Sequence, residues 1–384
     1  MAKKKGLRGG KDKGRRGPQQ RSGLARQRGA HKTGRTRLGD LSRYDEDAPA
    51  LEELAASESH SDSGENILRR FNRVARTQAS AEGLPGAIAG CEGLFYIVRN
   101  DAGEELTCQI RRVLKKMLTG VKSPLAVGDR VRYRHSPEGD PVITALEPRS
   151  NQIARADSHN KALEHVMAAN VDRLVIVAAI RQPELKTGLI DRYLLIAHYN
   201  DVEPMVVFNK CDLGAADATA ARYRALGYAV HLTQALPDHP GVDALRTGLA
   251  GRTCIFTGQS GVGKSSLINA LYPSLALRVG EVSEALQKGR HTTTTARSHP
   301  VPGGGALIDT PGIRECGISG MTPLDVALLY PDIAAHHHAC RFTNCLHLHE
   351  PDCAVKAAVA SGTIHVERYL SYCSIVEEDL AERR

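Results

Sequence analysis

Gly258-Gln259-Ser260-Gly261-Val262-Gly263-Lys264-Ser265 matches the pattern G-x-x-x-x-G-K-[ST] in full. Before it, Thr253-Cys254-Ile255-Phe256-Thr257 has the apolar content of a buried strand. After it, Ser266-Leu267-Ile268-Asn269-Ala270-Leu271 has that of a helix. A strand, a glycine-rich loop and a helix in this order make a cradle for phosphate. The glycines let backbone N–H groups turn inward at the positive end of the helix. Lys264 reaches the terminal phosphates, the Ser265 hydroxyl can ligand Mg²⁺, and Ser266 completes the polar start of the helix.

Outward from the cradle, Leu174-Val175-Ile176-Val177-Ala178-Ala179 is continuously apolar, as a strand covered on both faces must be. Ile190, Tyr193, Leu194 and Ala197 recur at helical spacing. Expected strands follow at Met205-Val206-Val207-Phe208 and Tyr228-Ala229-Val230-His231, with helices near 216–226 and 242–249. Alternating strand and helix predict a doubly wound, mostly parallel α/β sheet.

Asn209-Lys210-Cys211-Asp212, an N-K-x-D at the end of one of these strands, names the base. A carboxylate at a purine edge accepts hydrogen bonds from the ring N–H and the exocyclic amine of guanine, and adenine offers neither. A carboxylate left unpaired rejects the wrong base strongly. Asp212 is expected to read guanine, the Lys210 stem to lie over the ring, and Asn209 to tie this loop to the cradle. Thr233, Gln234 and Ala235, after the next strand, are expected to bring a further backbone N–H to the guanine oxygen.

Downstream, Ala306-Leu307-Ile308 leads into Asp309-Thr310-Pro311-Gly312. In this D-x-x-G, Asp309 is expected to hold Mg²⁺ through water and the Gly312 N–H to sense the γ-phosphate. Between cradle and D-x-x-G lies the polar run Gly289-Arg290-His291-Thr292-Thr293-Thr294-Thr295; Thr293 or Thr294 is expected to complete the Mg²⁺ shell. A GTPase usually begins with the cradle and ends with the base-reading loop. Here N-K-x-D comes first, so the domain is expected to be circularly permuted, with whatever follows D-T-P-G pulled when the γ-phosphate leaves. Ile313 stands where many GTPases place a glutamine to orient the attacking water; His291 is the catalytic candidate in its stead, the alternatives being a residue or RNA group supplied by a partner, or no fast hydrolysis.

The chain has 384 residues and a formal net charge of +8. Residues 1–40 carry 14 Lys and Arg against Asp12 and Asp40, so the basic excess belongs to an N-terminal tail and the remainder is slightly acidic. Such a tail cannot bury enough surface to fold alone, and its charge suits a polyanion. An acidic, Ser-rich linker over 41–66 completes an expected extension at 1–66. From about Ile67 to Ser150 the pattern reads as strands and turns, with candidate strands at 87–89, 94–98, 106–110, 130–134 and 142–146. Five short strands suit a small OB-type barrel. Arg130, Arg132 and Arg134, on one strand face, with Arg111-Arg112 and Lys115-Lys116, make RNA a candidate ligand of it. No apolar run approaches the roughly 20 residues of a membrane span, and no apolar segment follows the basic N-terminus, so a soluble, internal protein is expected.

Nine cysteines are present, three of them clustered with histidines. The segment Cys340-Arg-Phe-Thr-Asn-Cys345-Leu-His347-Leu-His349-Glu-Pro-Asp-Cys353 offers a closed Cys₃His site for structural zinc, with Cys340, Cys345, His347 and Cys353 as ligands. His349 and His336-His337-His338 are rival fourth ligands. The stretch beyond it, with Val359, Ile364, Val366, Tyr369 and Leu370, reads as helical and is expected close to the second switch.

Taken in order, the barrel, N-K-C-D, G-Q-S-G-V-G-K-S, G-R-H-T-T-T, D-T-P-G-I-R-E and C-x₄-C-x-H-x₅-C resemble the family of circularly permuted GTPases called ribosome small subunit-dependent GTPase A. The resemblance runs from about residue 85 to the end. It implies a multidomain fold: an OB barrel over 67–150, a permuted P-loop α/β GTPase domain over 151–318 and a zinc-binding helical domain over 319–384. It also implies a cytoplasmic enzyme, expected to act as a monomer away from membranes, that binds the small ribosomal subunit and its 16S rRNA and hydrolyses GTP to GDP and phosphate with Mg²⁺. By the same resemblance Cys340, Cys345, His347 and Cys353 hold zinc. A permuted GTPase of the large subunit and a GTP-liganded RNA-binding module without turnover are the rival readings.

Overall fold

The computed structural model describes residues 67–78, 82–118, 124–136, 140–156, 164–236, 239–275, 296–309 and 321–382. His291, Thr293, Thr294, Gly312 and the extension over 1–66 lie outside the described residues.

Strands β1 (Leu84–Glu92), β2 (Phe95–Arg99), β3 (Glu105–Ile110), β4 (Arg130–Arg134) and β5 (Val142–Leu146) pair in the order β1-β2-β3-β5-β4, and β4 returns onto β1. The sheet thus closes into a five-stranded barrel on the five expected strands. Ile88, Val98, Cys108, Val131, Tyr133 and Ile143 fill it. Two helices depart from the strand-and-turn reading. Helix α1 (Ile67–Arg76) lays Phe71, Val74 and Ala75 against the barrel core, and α2 (Arg112–Met117) adds Val113, Leu114 and Met117. Both are short and interleaved with cations, so their apolar stripes span only one or two turns. On β4, Arg132 lies 3.5 Å from Glu147 and Arg134 lies 2.7 Å from Glu82, which leaves a smaller free cation face than the alternation suggested. Where the barrel chain leaves for the next unit, buried Arg149 pairs with Asp129 at 2.7 Å and stacks on Phe71, with its centre 3.6 Å from the ring.

After the hairpin β6 (Gln152–Ala156) and β7 (Glu164–Ala169) come β8 (Arg173–Ala179), α3 (Thr187–Tyr199), β9 (Glu203–Asn209), α4 (Asp217–Ala225), β10 (Ala229–Leu232), α5 (Pro240–Leu249), β11 (Thr253–Thr257) and α6 (Lys264–Leu271). β12 (Arg297–Pro300) and β13 (Ala306–Asp309) complete the sheet, ordered β10-β9-β8-β11-β13-β12. All neighbours are parallel except β12 with β13. Alternation along β8 sends Leu174 and Ile176 toward α3 and α4, and Val175 and Val177 toward α5 and α6. The sheet is therefore doubly wound. Its central strand, β11, carries the cradle: strands earlier in the chain lie on one side of it and later strands on the other. That is the permuted order in spatial form. β12 was not foreseen, and it also pairs with β1 through Gly90 and Arg297, joining barrel and α/β sheet edge to edge.

The C-terminal unit consists of α7 (Pro323–Leu329), α8 (Pro331–His337), α9 (Ala354–Ala360) and α10 (Val366–Glu382). The helical stretch expected after the cysteine cluster is two helices, separated by Gly362 with φ +77°. Tyr330, Ile333, Tyr372, Ile375 and Val376 form its core together with Leu195 of α3. Buried Arg368 reaches Asp332 at 3.1 Å, Asp191 of α3, and the Tyr330 ring at 4.5 Å. Among the described residues, then, this unit docks on α3; the closeness expected to the second switch at D-T-P-G falls, past Asp309, on 310–320, which lie outside the described residues. No described helix is long and apolar enough to cross a membrane.

Candidate nucleotide-binding site and metal centre

Parallel strands place their C-terminal ends together, and the candidate site occupies that edge. Gly258 leaves β11 at φ +139°, where a Cβ would stand 2.0 Å from the Val177 carbonyl oxygen. Gly263, at φ +90°, ends the loop against Asn209; a Cβ there would meet Asn209 Nδ2 at 2.6 Å. Only glycine allows both the turn and the close approach. The Lys264 ammonium donates to the carbonyls of Gly258 and Gln259, each at 2.9 Å, and so lies along the lip of the loop. Lys264, Ser265 and Asp309 line one narrow cleft with Phe256, Ile268, Leu307 and Ile308. Burial pushes the Asp309 carboxyl above its ordinary value, partly opposed by His299 and Lys264. A cation beside it would favour the charged form.

The N-K-x-D loop is joined to the cradle directly. Buried Asn209 donates from Nδ2 to the Val262 carbonyl at 2.9 Å, across 53 residues of sequence, and its Oδ1 accepts from Thr233 Oγ1 at 3.1 Å. Lys210, in the left-handed region at φ +61°, donates to the Gly261 carbonyl at 2.7 Å and to the Gln182 carbonyl. Asp212 sits in a one-turn 3₁₀ helix, Cys211–Leu213, with an exposed side chain. In the triplet after β10, the Thr233 N–H is already donated to the Phe208 carbonyl at 2.8 Å. Thr233 therefore has its N–H engaged within the sheet and its hydroxyl directed to Asn209.

The cysteine segment folds into a compact knot. Cys340, Cys345, His347 and Cys353 bring one ligand atom each within 4.8 Å of one another. Cys340 Sγ lies 3.9 Å from Cys353 Sγ, and His347 Nδ1 lies 3.3 Å from Cys353 Sγ and 3.5 Å from Cys340 Sγ. The edges of a tetrahedral zinc site with bonds of about 2.3 Å to sulfur and about 2.0 Å to nitrogen are about 3.5–3.8 Å, so the donor set fits. The rival histidines are not in this group. Instead His337 backs His347: its Nε2 meets the Thr343 carbonyl at 3.1 Å, and its Nδ1 meets His347 Nε2 at 3.1 Å. A carbonyl only accepts, so His337 carries its proton on Nε2 and accepts at Nδ1. His347 then carries its proton on Nε2, which leaves the Nδ1 lone pair facing the thiols. Burial, aided by neighbouring His337, holds His347 down to about 4, so its ring is neutral at neutral pH. Glu350 ties the loop by accepting from the N–H groups of Leu346, Leu348 and His349, and the hydroxyls of Tyr369 and Tyr372 donate to the His347 and Leu346 carbonyls.

A model of the RsgA GTPase family matches residues 146–319. A "small ribosomal subunit biogenesis GTPase RsgA" of Bacteroides fragilis is 39% identical over 303 residues, covering 77% of this chain and 97% of the relative. The protein of the same name from Porphyromonas gingivalis is 40% identical over 313 residues, covering 78% and 98%. This chain belongs to the RsgA GTPase family. Among solved structures, YjeQ from Thermotoga maritima superposes with a TM-score of 0.62 at 31% identity, covering 77% of this chain and 98% of that one. YloQ, described as a circularly permuted GTPase, superposes with a TM-score of 0.61 at 29% identity, covering 80% and 98%. Within this family member the Gln182 carbonyl was absent from the sequence reading, while Thr233, expected to contact the base, and His337, expected as a rival metal ligand, take supporting roles instead. The first is a backbone atom without a side-chain signature. The other two act on a neighbouring residue, and only their position gives them a role.

Proposed function

We propose that this chain is a cytoplasmic GTPase, acting as a monomer, that engages the small ribosomal subunit during its biogenesis and hydrolyses GTP to GDP and phosphate there. The names of its relatives support the subunit, and the site supports the nucleotide. The observation that carries the reading is the Asn209–Val262 hydrogen bond, which ties the N-K-x-D loop to the phosphate cradle. With GTP bound, Asp212 accepts from the guanine N–H groups, Lys210 covers the ring, and Gln234 or Ala235 donates to the guanine oxygen. The N–H groups of Gly258, Gln259, Ser260, Gly261, Val262, Gly263, Lys264, Ser265 and Ser266 surround the phosphates. Ser265, Asp309 and Thr293 or Thr294 would hold Mg²⁺, which when bound offsets charge on the phosphates. Gly312 senses the γ-phosphate, and His291 orients the attacking water.

Cys340, Cys345, His347 and Cys353 would hold one structural zinc ion, because their spacing suits a closed tetrahedral site. The barrel over 67–150 and the zinc unit over 319–384 then flank the GTPase domain over 151–318 and grip 16S rRNA, with the basic part of the 1–66 extension adding a salt-sensitive attraction. The test is GTP turnover by the full chain alone, with purified small subunits and with purified large subunits. Acceleration by small subunits only is expected. Equal acceleration by large subunits, or no turnover in any arm, overturns the proposal.

A further inference from the structure

The edge where barrel and α/β sheet meet is more than a junction of backbones. β12 begins two residues after Thr295, and Arg297 in it is the main-chain partner of Asp309. β12 therefore links the threonine run to the first residue of D-T-P-G. On its other side the same Arg297 is paired with Gly90 of the barrel. Side chains reinforce the contact. The Glu105 carboxylate, on barrel strand β3, is divided: one oxygen accepts from Arg99 at 2.6 Å, and the other accepts from Arg297 at 2.7 Å. Arg99 also donates to the Ser298 carbonyl at 2.7 Å, and Arg297 reaches Glu92 at 3.4 Å. Arg99 is largely covered, its side chain 17% exposed.

We propose that Glu105 is a positioning residue through which the barrel holds β12, so that what the barrel binds sets the rate at which GTP is hydrolysed. A lone exposed ion pair would be too weak for this. Here two arginines from two units share one carboxylate, and backbone pairing on both sides of β12 restricts it to few arrangements. Burial alone would raise the Glu105 carboxyl, but Arg99 and Arg297 outweigh it and hold the group below its ordinary range. The coupling proposed is kinetic: an occupied barrel favours the arrangement of β12 that speeds hydrolysis, and an effect on a rate need not be matched by an equal change in subunit affinity.

The inference rests on the subunit-stimulated GTPase reading, and the test separates the two. Turnover of the full chain is measured with and without small subunits for the unaltered protein, Glu105→Gln, Arg297→Glu and the exchange Glu105→Arg/Arg297→Glu, with subunit affinity determined in parallel. Glu105→Gln is expected to keep turnover without subunits and subunit affinity within about twofold, while the acceleration by subunits falls about tenfold, within the range of ordinary allosteric couplings. The exchange is expected to recover acceleration that Arg297→Glu loses. Full acceleration in Glu105→Gln overturns the positioning role alone. Absence of acceleration in the unaltered chain overturns the subunit reading and this inference with it.

Discussion

The nucleotide site and the metal knot are built on opposite plans. The knot draws its four donors, Cys340, Cys345, His347 and Cys353, from a segment of fourteen residues that brings them within 4.8 Å of one another, with His337, Tyr369 and Tyr372 supporting it from the flanking helices. The nucleotide site draws on Asn209, Val262, Lys264 and Asp309, spread over about a hundred residues, and the parallel register of β9, β8, β11 and β13 brings them to one edge. A local site depends on what it binds for its shape, whereas a distributed site depends on the sheet. Loss of the ligand should therefore damage the first and spare the second.

The largest effect should follow zinc removal. Chelation, or Cys345→Ser, is expected to withdraw most of the order of residues 321–382, because binding energies of about 10 kcal/mol or more support small zinc units. Amide exchange should rise in α9 and α10 while β8, β9 and β11 stay protected, and metal analysis should fall from one zinc per chain. Unchanged exchange after complete metal loss would contradict the plan of the knot. Next in size, Asp212→Asn should weaken GTP by about 10³-fold or more and reduce the preference over ATP, since a site built to hydrogen-bond a group discriminates by such factors. Titration calorimetry checks it, and the melting temperature should hold. Retained guanine preference would sink the role of Asp212. Smallest, Asn209→Ala removes the tie between the two loops and leaves Thr233 Oγ1 only its long 3.5 Å contact to the Phe208 carbonyl, costing about 1–3 kcal/mol. GTP affinity should drop about tenfold or more with the zinc unit unaffected; an equal loss of stability in both regions would break the comparison.

Much of this layout was legible in the chain. All five barrel strands, the strands β8, β9, β10, β11 and β13 and the helices between them lie where alternation and apolar runs placed them, because each has a periodic face to bury. β12 was not legible: Arg297-Ser298-His299-Pro300 has no apolar face, and it is a strand because β13 and β1 offer unpaired backbone on either side. The same holds for His337, one of three consecutive histidines, whose neighbours His336 and His338 have identical chemistry. Its selection follows from the turn that sets it between Thr343 and His347.

Sequence by itself determined the motifs of this protein: a G-x-x-x-x-G-K-S loop, an N-K-x-D and a Cys₃His donor set, since each needs particular residue types at short spacing. It also determined the permuted order, which is a property of the chain. The tertiary structure alone decided how these parts are joined. Asn209 meeting Val262, Arg368 meeting Asp191, and Arg297 meeting Glu105 are contacts between groups far apart in sequence. Their partners are fixed by strand register and helix packing, which no local pattern of residues encodes.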